Sequence, residues 1–296
     1  MLKDKILRKI KKLFVTNDTH ISTTGTIDKS ALIVNSVISG DISINKNAKI
    51  ENTTLYSKIR ISENTHVIHS KIESNVWIHQ NTKVLNSEFL SGVNGIEIGS
   101  DSIVSGAKIH GDVVMGPYSK IIDGVYLSGK ISLGRNVSLN GPGTDIVSNI
   151  HQVKIGSFCS IARNVAIQEF NHNFKNVSSY FIHQNVFGET KQKDIISKGP
   201  IEIKNDVWIG TQSVILSGVT IGNGVVVAAN STVVSDIPDY AIVGGSPAKI
   251  ISYRFDKDII AELQRIKWWD WPDEKIQQHK LFFSESITLE NLKKIS

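Results

Sequence analysis

Several features are scarce or missing in this sequence of 296 residues, and each absence excludes a class of protein. The chain has a single cysteine, Cys159, so no disulfide framework can form within it. No stretch approaches the roughly 18 consecutive apolar residues of a membrane span. The N-terminus lacks the apolar segment and cleavage site of a secretory signal. No glycine-rich phosphate loop of the Walker type is present, which argues against nucleotide hydrolysis. We therefore expect a cytoplasmic protein.

Outside one segment the chain also has almost no net positive charge. The net charge is +5, and an equal excess lies within the first twelve residues, where Asp4 opposes six cations: Lys3, Lys5, Arg8, Lys9, Lys11 and Lys12. A nucleic-acid-binding protein usually spreads its basic side chains over a binding face. We expect no nucleic-acid partner.

Residues 1–16 predict an N-terminal amphipathic helix, because Leu2, Ile6, Ile10, Leu13 and Phe14 form one apolar stripe among the lysines. Two interpretations stay open for it. It can cap the first coil of the fold described next, or it can anchor the protein peripherally to the anionic inner face of a membrane.

A strict six-residue period dominates residues 201–248. Aliphatic residues recur at Ile203, Ile209, Ile215, Ile221, Val227 and Val233, and small or β-branched residues follow four positions later at Val207, Ser213, Val219, Val225 and Ser231. A helix would need a spacing near 3.6 and a simple strand a spacing of 2. The period predicts a parallel β-helix, in which equivalent positions stack from coil to coil.

The same register extends upstream in whole coils. It runs through Ile155, Ile161 and Ile167, with Cys159 and Val165 in small positions. Three earlier rows are Ile27, Ile44, Ile61, Ile78, Ile98, Met115 and Leu133; Ile33, Ile50, Val67, Val84, Val104, Ile121 and Leu139; and Ile38, Leu55, Ile72, Phe89, Ile109 and Tyr126. We expect roughly ten coils from about residue 25 to 237, about 50 Å long at about 4.8 Å per coil.

Two stretches interrupt this register. One is 141–149, and the other is the longer insertion 168–200. A loop of about thirty residues inside a regular solenoid is uncommon and usually functional. We expect the second loop to carry the chemistry of the protein, because it contains Asn171 and His172 directly after a coil edge.

Four motifs follow this loop in order: Val-Trp-Ile-Gly-Thr at 207–211, Val-Ala-Ala-Asn-Ser-Thr-Val-Val at 227–234, Val-Gly-Gly-Ser-Pro-Ala-Lys-Ile at 243–250 and Lys-Trp-Trp-Asp-Trp-Pro at 267–272. With the Asn-His loop, they resemble the left-handed β-helix (hexapeptide-repeat) acyltransferases. The resemblance covers about residues 140–285. It points to the branch that contains xenobiotic acetyltransferases for streptogramins and chloramphenicol, together with capsule and O-antigen O-acetyltransferases. The compact antibiotic-modifying members lack N-terminal coils of this length.

This resemblance implies acetyl-CoA as co-substrate and direct transfer of its acetyl group. Such a transfer needs a base for the acceptor hydroxyl, and histidine suits that role because it titrates near neutrality. His172 stands at the position of the family's base, after Asn171, a candidate substrate contact. His183 is a weaker alternative. Glu169 and Asp145 are weak candidates for the group that orients His172.

The resemblance also implies the remaining site residues. Trp208 would flank the catalytic histidine and the acetyl group. Thr211, Ala229 and Ser235 fall where related enzymes lay pantetheine along the coil edge. From their own position just past the last coil, Lys249 and Arg254 are expected to pair with the coenzyme A phosphates. The family forms trimers with active sites between neighbouring solenoids, so we expect a homotrimer.

The sequence favours no metal site. Histidine-rich β-helix proteins that resemble γ-class carbonic anhydrases bind zinc through three histidines, two of them five residues apart. No two histidines here have that spacing, so His66, His69 and His79 are expected at the solvated surface.

After Pro247 the pattern becomes helical. One helix is expected from Asp256 and a second from Pro272 through Leu281, with Trp268, Trp269 and Trp271 packing the pair onto the last coil. The expected organisation is therefore an N-terminal helix (1–16), N-terminal coils (17–140), an acyltransferase β-helix (141–250) with loop 168–200, and a C-terminal helical cap (251–296).

These observations favour an acetyl-CoA-dependent O-acetyltransferase acting on a sugar hydroxyl of a bacterial surface polysaccharide or its precursor, including a lipid-linked glycan. Three alternatives stay open: a streptogramin- or chloramphenicol-type acetyltransferase, an amino-sugar N-acetyltransferase and a non-enzymatic β-helix scaffold.

Overall fold

The computed structural model describes residues 14–15, 18–284, 287–293 and 295. Over this part the chain forms a parallel β-solenoid followed by short helices, which confirms the expected left-handed β-helix. Residues 1–13, most of the predicted N-terminal helix, lie outside the described residues. The last part of that prediction is wrong, since Phe14–Val15 forms a strand that pairs with Leu32–Val34.

The strands of the N-terminal coils are β1 Phe14–Val15, β2 His20–Thr23, β3 Leu32–Val34, β4 Val37–Ile44, β5 Lys49–Glu51, β6 Thr54–Ile61, β7 His66–Ile68, β8 Lys71–Glu73, β9 Val76–Ile78, β10 Lys83–Leu85, β11 Glu88–Ile98, β12 Ile103–Ser105, β13 Lys108–Met115, β14 Lys120–Ile122, β15 Tyr126–Leu133 and β16 Ser138–Asn140.

The remaining strands are β17 Asp145–Val147, β18 Val153–Ile155, β19 Ser160–Ile161, β20 Ala166–Gln168, β21 Asn171–His172, β22 Ile195–Ile196, β23 Ile201–Ile203, β24 Trp208–Ile209, β25 Val214–Leu216, β26 Thr220–Ile221, β27 Val226–Val227, β28 Thr232–Val233, β29 Ala241–Gly244 and β30 Lys249–Tyr253. The α-helices are α1 Ile182–Asn185, α2 Lys257–Ile266, α3 Asp273–Gln278 and α4 Leu289–Lys293, with 3₁₀ turns at Lys191–Lys193, Trp268–Asp270 and Lys280–Phe283.

Each coil contributes to three faces of a prism. The first face is the sheet that runs from β1 and β3 through β24 and β27 to β29. The second and third faces belong to a second sheet, because long strands such as β4 and β13 bend from one face onto the other. The second face contains Ile38 and its row, and the third contains Ile44 and its row.

Three edges separate these faces, and each favours residues that tolerate a positive φ. The first edge, between the first and second faces, contains Asn35, Asn52 and Asn86. The second edge, between the second and third faces, contains Gly40, Gly111 and Gly129. The third edge, which leads to the next coil, contains Asn47, Asn64 and Asn81. Asparagine and glycine are the residues that most readily adopt the left-handed region.

Packing at the edges explains both residue types. A Cβ on Gly111 would lie 2.5 Å from the carbonyl oxygen of Gly129, so the second edge needs glycine there. At the third edge, the side-chain amide of Asn47 donates to Asn64 Oδ1 at 3.1 Å, and Asn64 donates to Asn81 at 3.2 Å. The recurrence of asparagine every 17 residues therefore builds a hydrogen-bonded ladder between coils.

The three predicted aliphatic rows fill the core, with one correction. Ile33, Ile38 and Ile44 and their successors are fully buried or nearly so. The spacing predicts Tyr126 in the second-face row, but Leu127 occupies it: Leu127 pairs with Ile109 and is fully buried. Each fully buried aliphatic side chain contributes about 1.5–3 kcal/mol to folding, so this single column of side chains dominates the stability of the solenoid.

The solenoid begins earlier and has more coils than expected. Within the described residues the first face has twelve parallel strands, from β1 to β29, rather than ten. Residues 20–23, which precede Ile27 at the start of the predicted rows, form β2 and pair with β4. Both sheets continue across residue 140, so the two halves of the predicted solenoid form one continuous stack.

The interruption at 141–149 is divided between two edges. Asp145–Val147 lies in register on the second face, where Ile146 pairs with Leu127 and Ile167. The extra residues sit on either side of this strand. The larger interruption, 168–200, is confirmed as a loop that leaves the solenoid between β20 and β23.

The C-terminal helices pack along the third edge, where Trp269 and Trp271 share a buried cluster with Tyr240 of the last coil, and the contact extends to earlier coils. The ring of Trp268 lies 4.8 Å from that of Phe158, and Arg135 hydrogen-bonds Asp273 and the carbonyl of Trp271. Trp269 and Trp271 are buried as expected. The end of the first face is covered instead by β30, which pairs antiparallel with β29. Among the described residues, no helix has the length and apolar character needed to cross a bilayer.

Candidate active site

The loop of residues 168–200 is closed at its base by a short antiparallel pairing. β21 pairs with β22, placing Asn171 opposite Ile196 and His172 opposite the buried Ile195. The side-chain amide of Asn171 also donates to the hydroxyl of Ser217 on the neighbouring coil, at 3.4 Å. His172 is thus held at the root of the loop, next to the rigid solenoid, rather than at its tip.

The imidazole of His172 has a defined orientation. Its Nδ1 lies 2.6 Å from the backbone carbonyl oxygen of Ser179, and its ring meets the ring of Phe181 edge-on at 4.5 Å. A carbonyl oxygen only accepts hydrogen bonds, so Nδ1 must donate. The neutral imidazole then has its lone pair on Nε2, as a general base requires. The residue is exposed, so a substrate hydroxyl can approach Nε2.

Neither of the expected carboxylates is the hydrogen-bond partner of His172 Nδ1. Glu169 is fully buried, and its Oε2 accepts the backbone N–H groups of Asn149 and Ile150, both at 2.9 Å. This carboxylate therefore fastens the second edge of the preceding coil to the start of the loop. Asp145 is an exposed residue of β17. Within the described chain, the partner of Nδ1 is the Ser179 carbonyl rather than either acid.

A second buried carboxylate organises the interior of the loop. Asp194 is almost fully buried and accepts the backbone N–H groups of His183 and Gln184 at 3.1 and 3.0 Å, at the start of α1. Its own carbonyl accepts the N–H of Asn173, next to His172, at 2.8 Å. Asp194 therefore connects the helix of the loop to the segment that holds the imidazole.

His183 contacts a carboxylate, whereas His172 contacts a backbone carbonyl. Its Nδ1 lies 2.9 Å from Glu189, which also receives Lys193 Nζ at 2.8 Å. Hydrogen bonds from Lys193 and then His183 lower the pKa of the Glu189 carboxyl. This cluster ties the two sides of the loop together.

Trp208 lies on a different side of the solenoid from His172. It belongs to β24 on the first face, where its row neighbours are Ser160 and Val226. These smaller neighbours leave the indole 55% exposed. In a three-sided prism the first face is opposite the second edge, from which the loop leaves. One chain therefore does not bring the indole and the imidazole together.

Three of the predicted cofactor residues lie around the first edge. Thr211 donates its hydroxyl to the carbonyl of Arg163 at 2.7 Å, and Asn230, next to Ala229, donates its N–H to the Thr211 carbonyl at 2.8 Å. Lys249 begins β30, and the turn before it reaches this edge because the N–H of Thr232 donates to the carbonyl of Gly245 at 2.9 Å. Thr211, Ala229 and Lys249 therefore share one side of the prism.

The other two predicted cofactor residues lie elsewhere. Ser235 is exposed at the second edge, between β28 and Ile237. Arg254 lies at the third edge, where its guanidinium donates to Asp206 and to the carbonyl of Gly224 at 2.9 and 2.8 Å. It also lies over the ring of Tyr240. Its Nη1 therefore already has partners within the chain, and a contact of Arg254 with the coenzyme A phosphates stays a prediction.

Cys159 is a core residue, as expected. It is fully buried in the small position of its coil, and burial raises the pKa of its thiol to about 12. A protonated and inaccessible thiol is a poor nucleophile.

The histidines of the N-terminal coils have ordinary partners. His69 Nε2 lies 3.0 Å from the side-chain amide of Asn52, and His79 pairs with Glu97 at 2.8 Å. No group of three or more potential metal-binding side chains was found among the described residues.

Sequence reasoning missed the residues that fix the loop. Ser179 acts through its backbone carbonyl, which no residue type signals. Phe181 and Asp194 follow no period, because the loop makes its contacts outside the coil register. For Asp194 the only available signal was an acidic residue in a mostly polar loop, and it is a weak one.

The comparisons with known proteins agree with this architecture. A family model described as bacterial transferase hexapeptide (six repeats) matches residues 200–235. The chloramphenicol acetyltransferase of Agrobacterium fabrum is 41% identical over 129 residues, which are 42% of this chain and 62% of that protein. A probable macrolide acetyltransferase of Lysinibacillus sphaericus is 38% identical over 146 residues, 47% of this chain and 80% of that protein.

Among solved structures, the polySia-specific acetyltransferase NeuO matches with 23% identity and a TM-score of 0.43, over 73% of this chain and 84% of that one. The chain spans about three fifths of the first of the curated relatives and four fifths of the macrolide relative. Since the latter is also 38% identical and the repeat motif is matched, the chain belongs to the hexapeptide-repeat acyltransferases.

Proposed function

We propose that this protein transfers the acetyl group of acetyl-CoA to a sugar hydroxyl of a bacterial surface polysaccharide or its precursor, with His172 as the general base. The observation that carries the proposal is the contact between His172 Nδ1 and the Ser179 carbonyl, which leaves Nε2 as a proton acceptor on an exposed loop.

One base is sufficient for both proton transfers of the reaction. Nε2 takes the proton of the acceptor hydroxyl as the oxygen attacks the thioester carbonyl. The tetrahedral intermediate then collapses, the C–S bond breaks, and the imidazolium returns its proton to the leaving thiolate. The products are an acetyl ester and free coenzyme A. No covalent enzyme intermediate is needed, which agrees with the burial of Cys159.

The proposed site lies between two copies of the chain in a homotrimer. The imidazole and the Trp208 indole are on opposite sides of one prism, whereas packing of prisms side by side would bring the loop of one copy to the first face of the next. The loop presents the exposed apolar side chains Phe174, Val177 and Tyr180 for such a contact. Thr211, Ala229 and Lys249 would then lie beside the donor, with Asn171 near the acceptor.

A second candidate function is acetylation of a small antibiotic, favoured by the names of the chloramphenicol and macrolide acetyltransferase relatives. The long stack of N-terminal coils favours the glycan instead, because a small drug would not need a scaffold of that length.

The test measures acetyl transfer with purified protein and labelled acetyl-CoA, offering capsule or O-antigen glycan, chloramphenicol and a macrolide in parallel. Transfer to the glycan and not to the drugs supports the proposal. Transfer to a drug alone supports the second candidate. Transfer to none of them would overturn both.

A further inference from the structure

A cleft of about 370 Å³ lies on the N-terminal coils, on the third face and second edge. Its lining includes Asn75, Trp77, Glu97, Asp112, Lys130 and Gln152. One wall is formed by residues 91–95, where the coil is three residues longer: the row residues Ile78 and Ile98 are 20 apart, whereas Ile61 and Ile78 are 17 apart. The insertion exposes Val93 almost completely and raises this wall above the face.

Trp77 forms the floor of one end of the cleft. Its indole is 49% exposed, although it stands on the flat face of a sheet. The ring of His79 stacks against it at 4.3 Å with an interplanar angle of 23°, and His79 is held in turn by Glu97 at 2.8 Å. The indole N–H donates to the hydroxyl of Ser62 at 3.4 Å. These contacts fix the ring and leave part of its surface open to a ligand.

The wall is fixed as well. Asp112 accepts the backbone N–H of Asn94 and its side-chain amide, both at 2.9 Å. The amide of Asn75 donates to the carbonyl of Asn94 at 3.3 Å. A cleft whose walls are already ordered binds a ligand with little further loss of conformational entropy.

The cleft is continuous with the surface that leads to the loop. Trp77 lies in an outward row on the third face that continues through Glu97, Val114, Ser132 and Lys154 to Glu202. Glu202 follows the point where the loop rejoins the solenoid. Five coil spacings separate Trp77 from Glu202, or about 24 Å. An extended ligand on this row would have one end at Trp77 and the other at the root of the loop that holds His172.

We propose that this row is a binding groove for a linear oligosaccharide, with Trp77 as the platform on which one sugar ring stacks. The C–H face of a sugar ring suits an indole, and its hydroxyls suit the carboxylates, amides and lysine around it. The inference rests on the proposed glycan acceptor and narrows it: the acceptor is a chain of several sugars, bound far from the hydroxyl that reacts.

The experiment measures binding by calorimetry, using full-length protein and the dimers and hexamers of sialic acid, N-acetylglucosamine and glucose. At least one hexamer should bind about tenfold more tightly than its dimer, a difference of about 1.4 kcal/mol, and Trp77→Ala should remove most of it. Trp77→Tyr should retain part of it. Tyr56→Ala is the matched control, because Tyr56 is a similarly exposed aromatic residue on the second face.

Binding is measured without turnover, so the groove and the enzyme are tested separately. A length-dependent Kd that Trp77→Ala abolishes and His172→Ala preserves would support the groove even if acetyl transfer were absent. If no hexamer binds more tightly than its dimer, or if Trp77→Ala and Tyr56→Ala behave alike, the groove is overturned whatever the activity.

Discussion

The Nδ1 atom of His172 lies 2.6 Å from the backbone carbonyl oxygen of Ser179. The two residues are seven apart in the sequence, so the chain between them turns back to place this carbonyl beside the imidazole. The orientation of the proposed base therefore depends on the conformation of the loop and not on a carboxylate partner. The buried carboxylate of Asp194 holds the loop together, so substituting it tests whether the loop conformation orients His172.

Asp194→Ala should lower kcat by about tenfold or more. The substitution leaves two backbone N–H groups at the start of α1 without their acceptor, at a local cost of about 1–2 kcal/mol. The loop then no longer holds Ser179 against His172. The Tm should change little, because the solenoid core does not depend on the loop. Kinetic assays and a thermal melt check both, and Glu189→Gln is the control in the exposed part of the loop. Full kcat in Asp194→Ala would contradict this role.

A mixture of two inactive variants should regain activity if the site lies between subunits. His172→Ala and Trp208→Ala each remove one side of the proposed site. When they are unfolded and refolded together, mixed trimers contain interfaces where intact His172 faces intact Trp208. Activity in the mixture above that of either variant alone is expected. If refolded mixtures never exceed the single variants, the site is contained within one chain.

Cys159→Val should leave kcat unchanged and reduce the loss of stability at high pH. The equivalent small position holds Val137 on the coil before and Val207 on the coil after, so valine fits the site. Burial raises the thiol pKa from 9.0 to about 12. Between those values the unfolded chain loses the thiol proton while the folded chain retains it, so this contribution to stability is lost as pH rises above about 9. Denaturant titrations at pH 8 and 10 measure the difference, and a large loss of kcat would instead indicate a covalent role.

The regular part of this fold was readable from sequence, because the coil register repeats the same environment. Ile203, Ile209 and Ile215 each face the core at the same point of a coil, so one physical constraint acts on all of them. The misassignment of Tyr126 arose where a coil gains one residue, so that a fixed spacing points to the neighbour of Leu127. Repeats predict what recurs and fail where a coil changes length.

The candidate site was only partly readable. His172 follows a coil edge and stands at the position of the base in the family that the motifs resemble, but the Ser179 carbonyl that orients it has no side-chain signature. Arg254 was assigned to the coenzyme because it follows the last coil. The chain instead turns back along the third edge, where Asp206 and Gly224 bind its guanidinium. Such long-range contacts follow from tertiary packing, which the repeat does not encode.

Substitutions of Arg254 and Lys249 should therefore have different effects, the first on stability and the second on coenzyme binding. Arg254→Gln breaks a partly buried ion pair with Asp206 and should lower the free energy of unfolding by about 1–3 kcal/mol, with little change in KM for acetyl-CoA. Lys249→Gln, on exposed β30, should raise that KM and leave stability nearly unchanged. Denaturant melts and initial rates distinguish the two effects. A raised KM with unchanged stability in Arg254→Gln would instead support the prediction that Arg254 binds coenzyme A.

The most direct test of the account is the turnover of His172→Ala, with labelled acetyl-CoA and the glycan that the wild-type protein acetylates. His183→Ala provides the matched control in the same loop, and circular dichroism checks that both variants keep the solenoid. Loss of the general base should lower kcat by about 10²- to 10⁴-fold in His172→Ala alone, with KM for acetyl-CoA largely unchanged. Equal turnover in wild type and a folded His172→Ala variant would contradict the central claim.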